Sequence, residues 1–123
     1  MAYKRTDIGV SMSLPIGMTE AFKRLALART DARDPRVRRR RVWIQDLYEE
    51  AVRDFLIRLQ RRERVFFAAT PLRRKEVKTL RLEPALWTQV KEISARFDVS
   101  VGTVVRTACS EFLEANGITL DRS

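Results

Sequence analysis

The chain has 123 residues, 45% of them hydrophobic, which suits one unit of ordinary domain size and excludes wholesale disorder. A single cysteine, Cys109, and no histidine exclude an intramolecular disulfide, a histidine-based triad and a conventional zinc site. Neither a metal, another cofactor nor an enzymatic activity is expected. No run approaches the roughly 20 apolar residues of a membrane span, and Met1-Ala2-Tyr3-Lys4-Arg5 leads into no secretory apolar segment. Lys and Arg number 25 against 16 Asp and Glu, a net charge of +9, and such a field attracts a polyanion, either nucleic acid or an anionic membrane surface. Arginine predominates among the cations, which favours forked contacts to phosphates and base edges.

In chain order, Ile8, Val10, Met12 and Leu14 alternate with Gly9, Ser11 and Ser13, the period of a short half-buried strand. Pro15 follows, and Met18, Phe22 and Leu25 then recur at helical spacing. Thr30 to Arg41 breaks the pattern with Pro35 and the arginines 33, 36, 38, 39, 40 and 41. Ile44, Leu47, Tyr48, Ala51 and Phe55 mark the buried face of a second helix. In the connection from Gln60 to Lys75, Arg61, Arg62 and Arg64 continue that helix or its fraying end, Val65-Phe66-Phe67 is a short apolar run and Thr70-Pro71 breaks it. Phe66 and Phe67 are expected to pack under the linker, the alternative being a partner-binding role. From Glu76 to Leu82 the chain alternates again, with Leu80 and Leu82 on one face and Val77, Thr79 and Arg81 on the other. Pro84 suits a first helical position, and Leu86, Val90, Ile93 and Phe97 predict a helix that Asp98-Val99-Ser100 interrupts. Ser100 is a good N-cap for a last helix, buried through Val101, Val104, Val105, Ala108 and Phe112 and closed by Asn116-Gly117.

The two halves are copies of one unit. The first strand and helix recur 68 residues later, as Leu14 and Leu82 do, and the second helix recurs 57 residues later, as Phe55 and Phe112 do. The first copy therefore carries an insertion between its helices, the arginine-rich segment. The expected domain spans residues 7–118: repeat one at 7–59, a linker at 60–75 and repeat two at 76–118. Two short strands leave their backbone unpaired unless they pair with each other, so the expected fold is mostly α, with one two-stranded antiparallel ribbon above four helices. The outer ribbon face then carries Gly9, Ser11, Ser13, Val77, Thr79 and Arg81, with no acidic residue before Glu83. A two-stranded ribbon fits the major groove of B-DNA.

The second copy, Lys78-Thr79-Leu80-Arg81-Leu82 through Asp98-Val99-Ser100-Val101-Gly102-Thr103 to Glu111-Phe112-Leu113, resembles a ribbon-helix-helix DNA-binding domain. Members of that family are homodimers whose strands form one ribbon in the major groove. Here one chain resembles the tandem members associated with conjugative plasmids, a single-chain pseudo-dimer acting as a monomer. The whole chain is also similar to the C-terminal region of accessory proteins for T-DNA border processing encoded by Ti-plasmid virulence-C operons. The preceding N-terminal segment of those proteins has no counterpart in this sequence. The resemblance implies double-stranded DNA as partner, other DNA-processing proteins as further partners, and the bacterial cytoplasm as the place of action. It also implies base reading by Thr79 and Arg81, matched by Ser11 and Ser13, with Val77 touching a thymine methyl. The turn at Ser100, Val101 and Gly102 would clamp a DNA phosphate, where free N–H groups and the helix dipole favour an anion. Arg38, Arg39, Arg40 and Arg41 lie just before a helix start, an unfavourable place for cations unless an external anion such as a DNA phosphate is present. The insertion departs from the compact family turn, so phosphate contacts in repeat one cannot be transferred position by position.

Bland readings exist for each feature: a solvated hairpin face, simple N-capping by Ser100, a solvated basic loop or a nuclear-localisation run at Arg38 to Arg41, and packing roles for Trp43, Trp87 and Cys109. Three other functions compete. One is a helix-turn-helix in which Ser100, Thr103 and Arg106 face the groove, another a transcriptional repressor of either type, and the third a module that recruits other proteins.

Overall fold

The computed structural model describes residues 7–32, 36, 42–61, 67 and 75–118. The chain runs β1 (Ile8–Pro15), α1 (Met18–Ala32), α2 (Ile44–Gln60), β2 (Lys75–Leu82), α3 (Pro84–Phe97) and α4 (Val101–Ala115). β1 and β2 form one antiparallel two-stranded ribbon. The order strand-helix-helix occurs twice, so one chain holds the tandem ribbon-helix-helix architecture.

The register reveals its symmetry. Ile8 pairs with Leu82, Pro15 with Lys75 and, at the middle, Ser11 with Thr79. Ser11 and Thr79 are also equivalent positions of the two repeats, 68 residues apart. A pseudo-two-fold axis therefore passes between them, as in a self-complementary dimer interface. On that axis Ser11 Oγ and Thr79 Oγ1 lie 3.1 Å apart, within hydrogen-bond reach.

Period-two alternation turns Met12, Leu14, Leu80 and Leu82 down onto the helices, where all four are buried. The repeat persists in the core. Leu47 and Val104, Tyr48 and Val105, Ala51 and Ala108, Val52 and Cys109, Phe55 and Phe112, and Leu56 and Leu113 are equivalent residues, and all are buried. Phe22 joins the halves, its ring centroid 4.3 Å from that of Tyr48 and 5.9 Å from that of Phe112. Burial pushes the Cys109 thiol up to about 12, so it stays protonated and behaves as a small apolar residue. Ion pairs Arg58–Glu111 and Arg53–Glu83 cross between the repeats, and such part-exposed pairs contribute about 0–1 kcal/mol each.

Two expected core residues sit at the rim. Ile8 is 44% exposed because it opens β1 at the ribbon's end, and Phe97 is 42% exposed because it ends α3. Phe67 packs at that corner, 5.2 Å from the Phe97 ring and 5.9 Å from the Phe55 ring. Phe66 lies outside the described residues.

α3 stops in a turn that requires a left-handed residue. Asp98 has φ 53°, the Asp98 N–H reaches the Ala95 carbonyl at 3.4 Å and the Val99 N–H the Ser94 carbonyl at 3.0 Å. The same two-bond cap ends α4, where Gly117, at φ 80°, fills the position without a Cβ penalty. Asp98→Gly is therefore expected to raise the unfolding free energy by up to about 1 kcal/mol in urea titrations. A decrease would mean that the Asp98 side chain outweighs its backbone strain.

Candidate nucleic-acid interface

Strand alternation places every expected base-reading residue on the outer face of the ribbon. Gly9 pairs with Arg81, Ser11 with Thr79 and Ser13 with Val77. These six positions carry hydroxyls, one guanidinium and one branched apolar group, with no carboxylate. Val77 is 69% exposed. A Cβ added to Gly9 would lie 3.1 Å from Thr79 Cγ2 and 3.7 Å from both Cγ and Cζ of Arg81. The Arg81 side chain thus lies across the ribbon over Gly9.

Glu76 belongs to the opposite face, paired with Leu14. Its Oε1 accepts the Thr19 N–H at 3.1 Å, which spends the carboxylate on the N-terminal turn of α1 instead of the outer face. At the pseudo-symmetric place, Trp87 Nε1 donates to the Ile8 carbonyl at 2.8 Å. Each strand is thereby held at its start by the other repeat's first helix, through different chemistry.

The second helices begin against the two ends of the ribbon. Gln45, in the first turn of α2, donates from Nε2 to the Arg81 carbonyl at 2.6 Å. Arg106, in α4, donates from Nη1 to the Ser13 carbonyl at 3.3 Å and from Nη2 to Thr103 Oγ1 at 3.0 Å. The acceptors Ser13 and Arg81 are equivalent, whereas the donors are not: Gln45 matches Gly102, and Arg106 matches Glu49. Ser100 caps α4 by accepting the Thr103 N–H at 3.1 Å. Gly102 leaves room for the guanidinium above it, since a Cβ there would come 3.2 Å from Arg106 Nη1. Burial lowers the Arg106 pKa without discharging it. A cation over the positive end of a helix dipole is unfavourable until an anion arrives.

The start of α2 differs. Its N-cap is Trp43, 40% exposed, and Asp46 accepts the Trp43 N–H at 3.4 Å. Asp46 and Glu49 stand where α4 has Thr103 and Arg106. The arginines expected to complement this end, Arg38, Arg39, Arg40 and Arg41, lie outside the described residues.

Among the expected phosphate contacts, Ser100, Val101 and Gly102 open α4 as anticipated. Arg106 enters the sequence reading only as a groove-facing residue of the competing helix-turn-helix, and in the fold it stands beside the ribbon end. Thr103 is buried and Arg106 is turned toward β1, so neither projects from an exposed recognition helix. The available signal was Arg106 standing three residues after Thr103, on the same helix face. Among the described residues no group of three His, Cys, Asp or Glu side chains is placed to hold a metal, and no helix is long and apolar enough to cross a membrane. Searches with the chain against family models, curated proteins and solved structures found no match.

Proposed function

We propose that the protein binds double-stranded DNA with its ribbon in the major groove, with a preference for sequence, as an accessory factor in plasmid or T-DNA border processing. The observation that carries the binding is the outer ribbon face, where Ser11, Ser13, Val77, Thr79 and Arg81 stand together without a carboxylate. Arginine donates in a fork to guanine, serine and threonine bond to several bases, and valine suits a thymine methyl. The flanks support the same reading: at the start of α4, Ser100, Val101, Gly102 and Arg106 combine free N–H groups with a cation beside the ribbon. Arg38, Arg39, Arg40 and Arg41 would add phosphate contacts near α2. The processing role, DNA-processing partners and a cytoplasmic location come from the family resemblance.

The test is fluorescence anisotropy with a border-like or origin-like duplex, with complex mass measured by sedimentation. One chain per bound ribbon is expected, because the pseudo-two-fold lies inside the chain. Affinity should fall with a log–log salt slope of about −0.9 per neutralised phosphate. Absence of duplex binding at low salt would favour a protein-recruiting module, and a ribbon shared between two chains would overturn the single-chain unit.

A further inference from the structure

The pseudo-two-fold axis through Ser11 and Thr79 makes the cross-strand pair Gly9–Arg81 equivalent to the pair Val77–Ser13. In a true dimer these pairs would be identical, and the bases met at the two ends would be the same, which yields a palindromic site. Here they are chemically opposite. At one end a long forked donor lies over a residue with no side chain. At the other, an exposed branched apolar group faces a short hydroxyl.

Gly9 is what allows the first arrangement. Its missing Cβ leaves the strip of ribbon that the Arg81 side chain crosses, with Cζ 3.7 Å from where a Cβ would stand. Val77, the equivalent position in the other strand, fills the corresponding strip with a branched side chain. Between them, the central hydroxyl pair Ser11–Thr79 is the nearly symmetric part of the face.

We infer that the ribbon recognises a non-palindromic duplex and docks on it in a single orientation, with Gly9 a specificity-determining residue that seats Arg81. This rests on the proposed major-groove binding. The Arg81 end selects guanine through its O6 and N7 acceptors, and the Val77 end selects thymine through its methyl group. The two ends therefore read different bases, and reversing the protein on the site exchanges a cation for a methyl surface at each end. A polar process on DNA gains a fixed direction from such a reader without a second protein.

The experiment is selection of bound duplexes from a randomised pool by the wild-type chain and by two variants. Wild-type protein should enrich an asymmetric sequence with guanine fixed on one side only. The double variant Ser13→Arg/Val77→Gly, which gives both ends the Gly–Arg pair, should enrich a sequence with guanine at both symmetry-related positions. Gly9→Val should lose the guanine preference by roughly tenfold or more. Circular dichroism and a melting curve confirm that each variant is folded, and the wild-type selection decides the question even where a variant is not. A palindromic wild-type site, or duplex binding with no base enriched, overturns the orientation but leaves DNA binding standing. Failure to retain any duplex at low salt removes the binding reading itself and this inference with it.

Discussion

Trp87→Ala is expected to remove about 3–5 kcal/mol of stability, enough to unfold a large part of the population if the chain has the usual 5–15 kcal/mol. Trp87 is among the largest fully buried side chains, so truncation leaves a cavity that the surrounding core only partly fills. It also donates from Nε1 to the Ile8 carbonyl, which ties α3 of repeat two to the strand of repeat one. The damage therefore crosses the repeat boundary, because neither repeat owns a complete sheet. Trp87→Phe separates the two contributions. It keeps most of the apolar volume and deletes the donor, and a loss near 1 kcal/mol is expected, with faster amide exchange in β1 than in α4. Urea titration and hydrogen exchange measure both. Equal losses for the two variants would show that the hydrogen bond, not the packing, holds the ribbon to α3.

The ribbon was legible in the sequence because a period of two has only two phases. Once Leu80 and Leu82 were assigned inward, Val77, Thr79 and Arg81 had to face out, and the same logic fixed Gly9, Ser11 and Ser13. The helix faces were legible because Leu47 to Phe55 and Val104 to Phe112 carry the same spacing twice. The details that lie beyond spacing were not. Which residue pairs with which depends on strand register, so the pseudo-two-fold at Ser11 and Thr79 needed the folded ribbon. The seating of Arg81 over Gly9 is a cross-strand contact between residues 72 positions apart in sequence. Alternation gives Glu76 the phase of Leu80 and Leu82 but no partner, and only with α1 docked beside it does its carboxylate cap the Thr19 N–H. Trp43 also eluded pattern reasoning, since an aromatic N-cap at the edge follows no helical period.

Base reading and phosphate anchoring should separate in a pair of variants, Arg81→Ala and Arg106→Ala, titrated against preferred and scrambled duplexes at two salt concentrations. Arg81 crosses the outer face of the ribbon, where a forked contact to guanine contributes about 1–3 kcal/mol of discrimination. Its loss should lower affinity for the preferred duplex by roughly 5- to 150-fold and leave the scrambled duplex nearly unaffected. Arg106 sits beside the ribbon end, bonded to the Ser13 carbonyl and lying over the first turn of α4. Under the proposed function it meets a phosphate, which carries no sequence information. Arg106→Ala should weaken both duplexes alike and flatten the log–log salt slope by about one unit. Because Arg106 also braces β1, a melting curve must accompany its titration, and Arg106→Lys should recover the salt slope while losing the forked contact to Ser13 and Thr103. The opposite pattern, with Arg106→Ala erasing discrimination and Arg81→Ala lowering all affinities equally, would move the reading surface from the ribbon to α4. That outcome would require Arg106 to leave its position against β1 and Thr103 its buried one, a rearrangement that amide exchange of α4 in the complex would reveal.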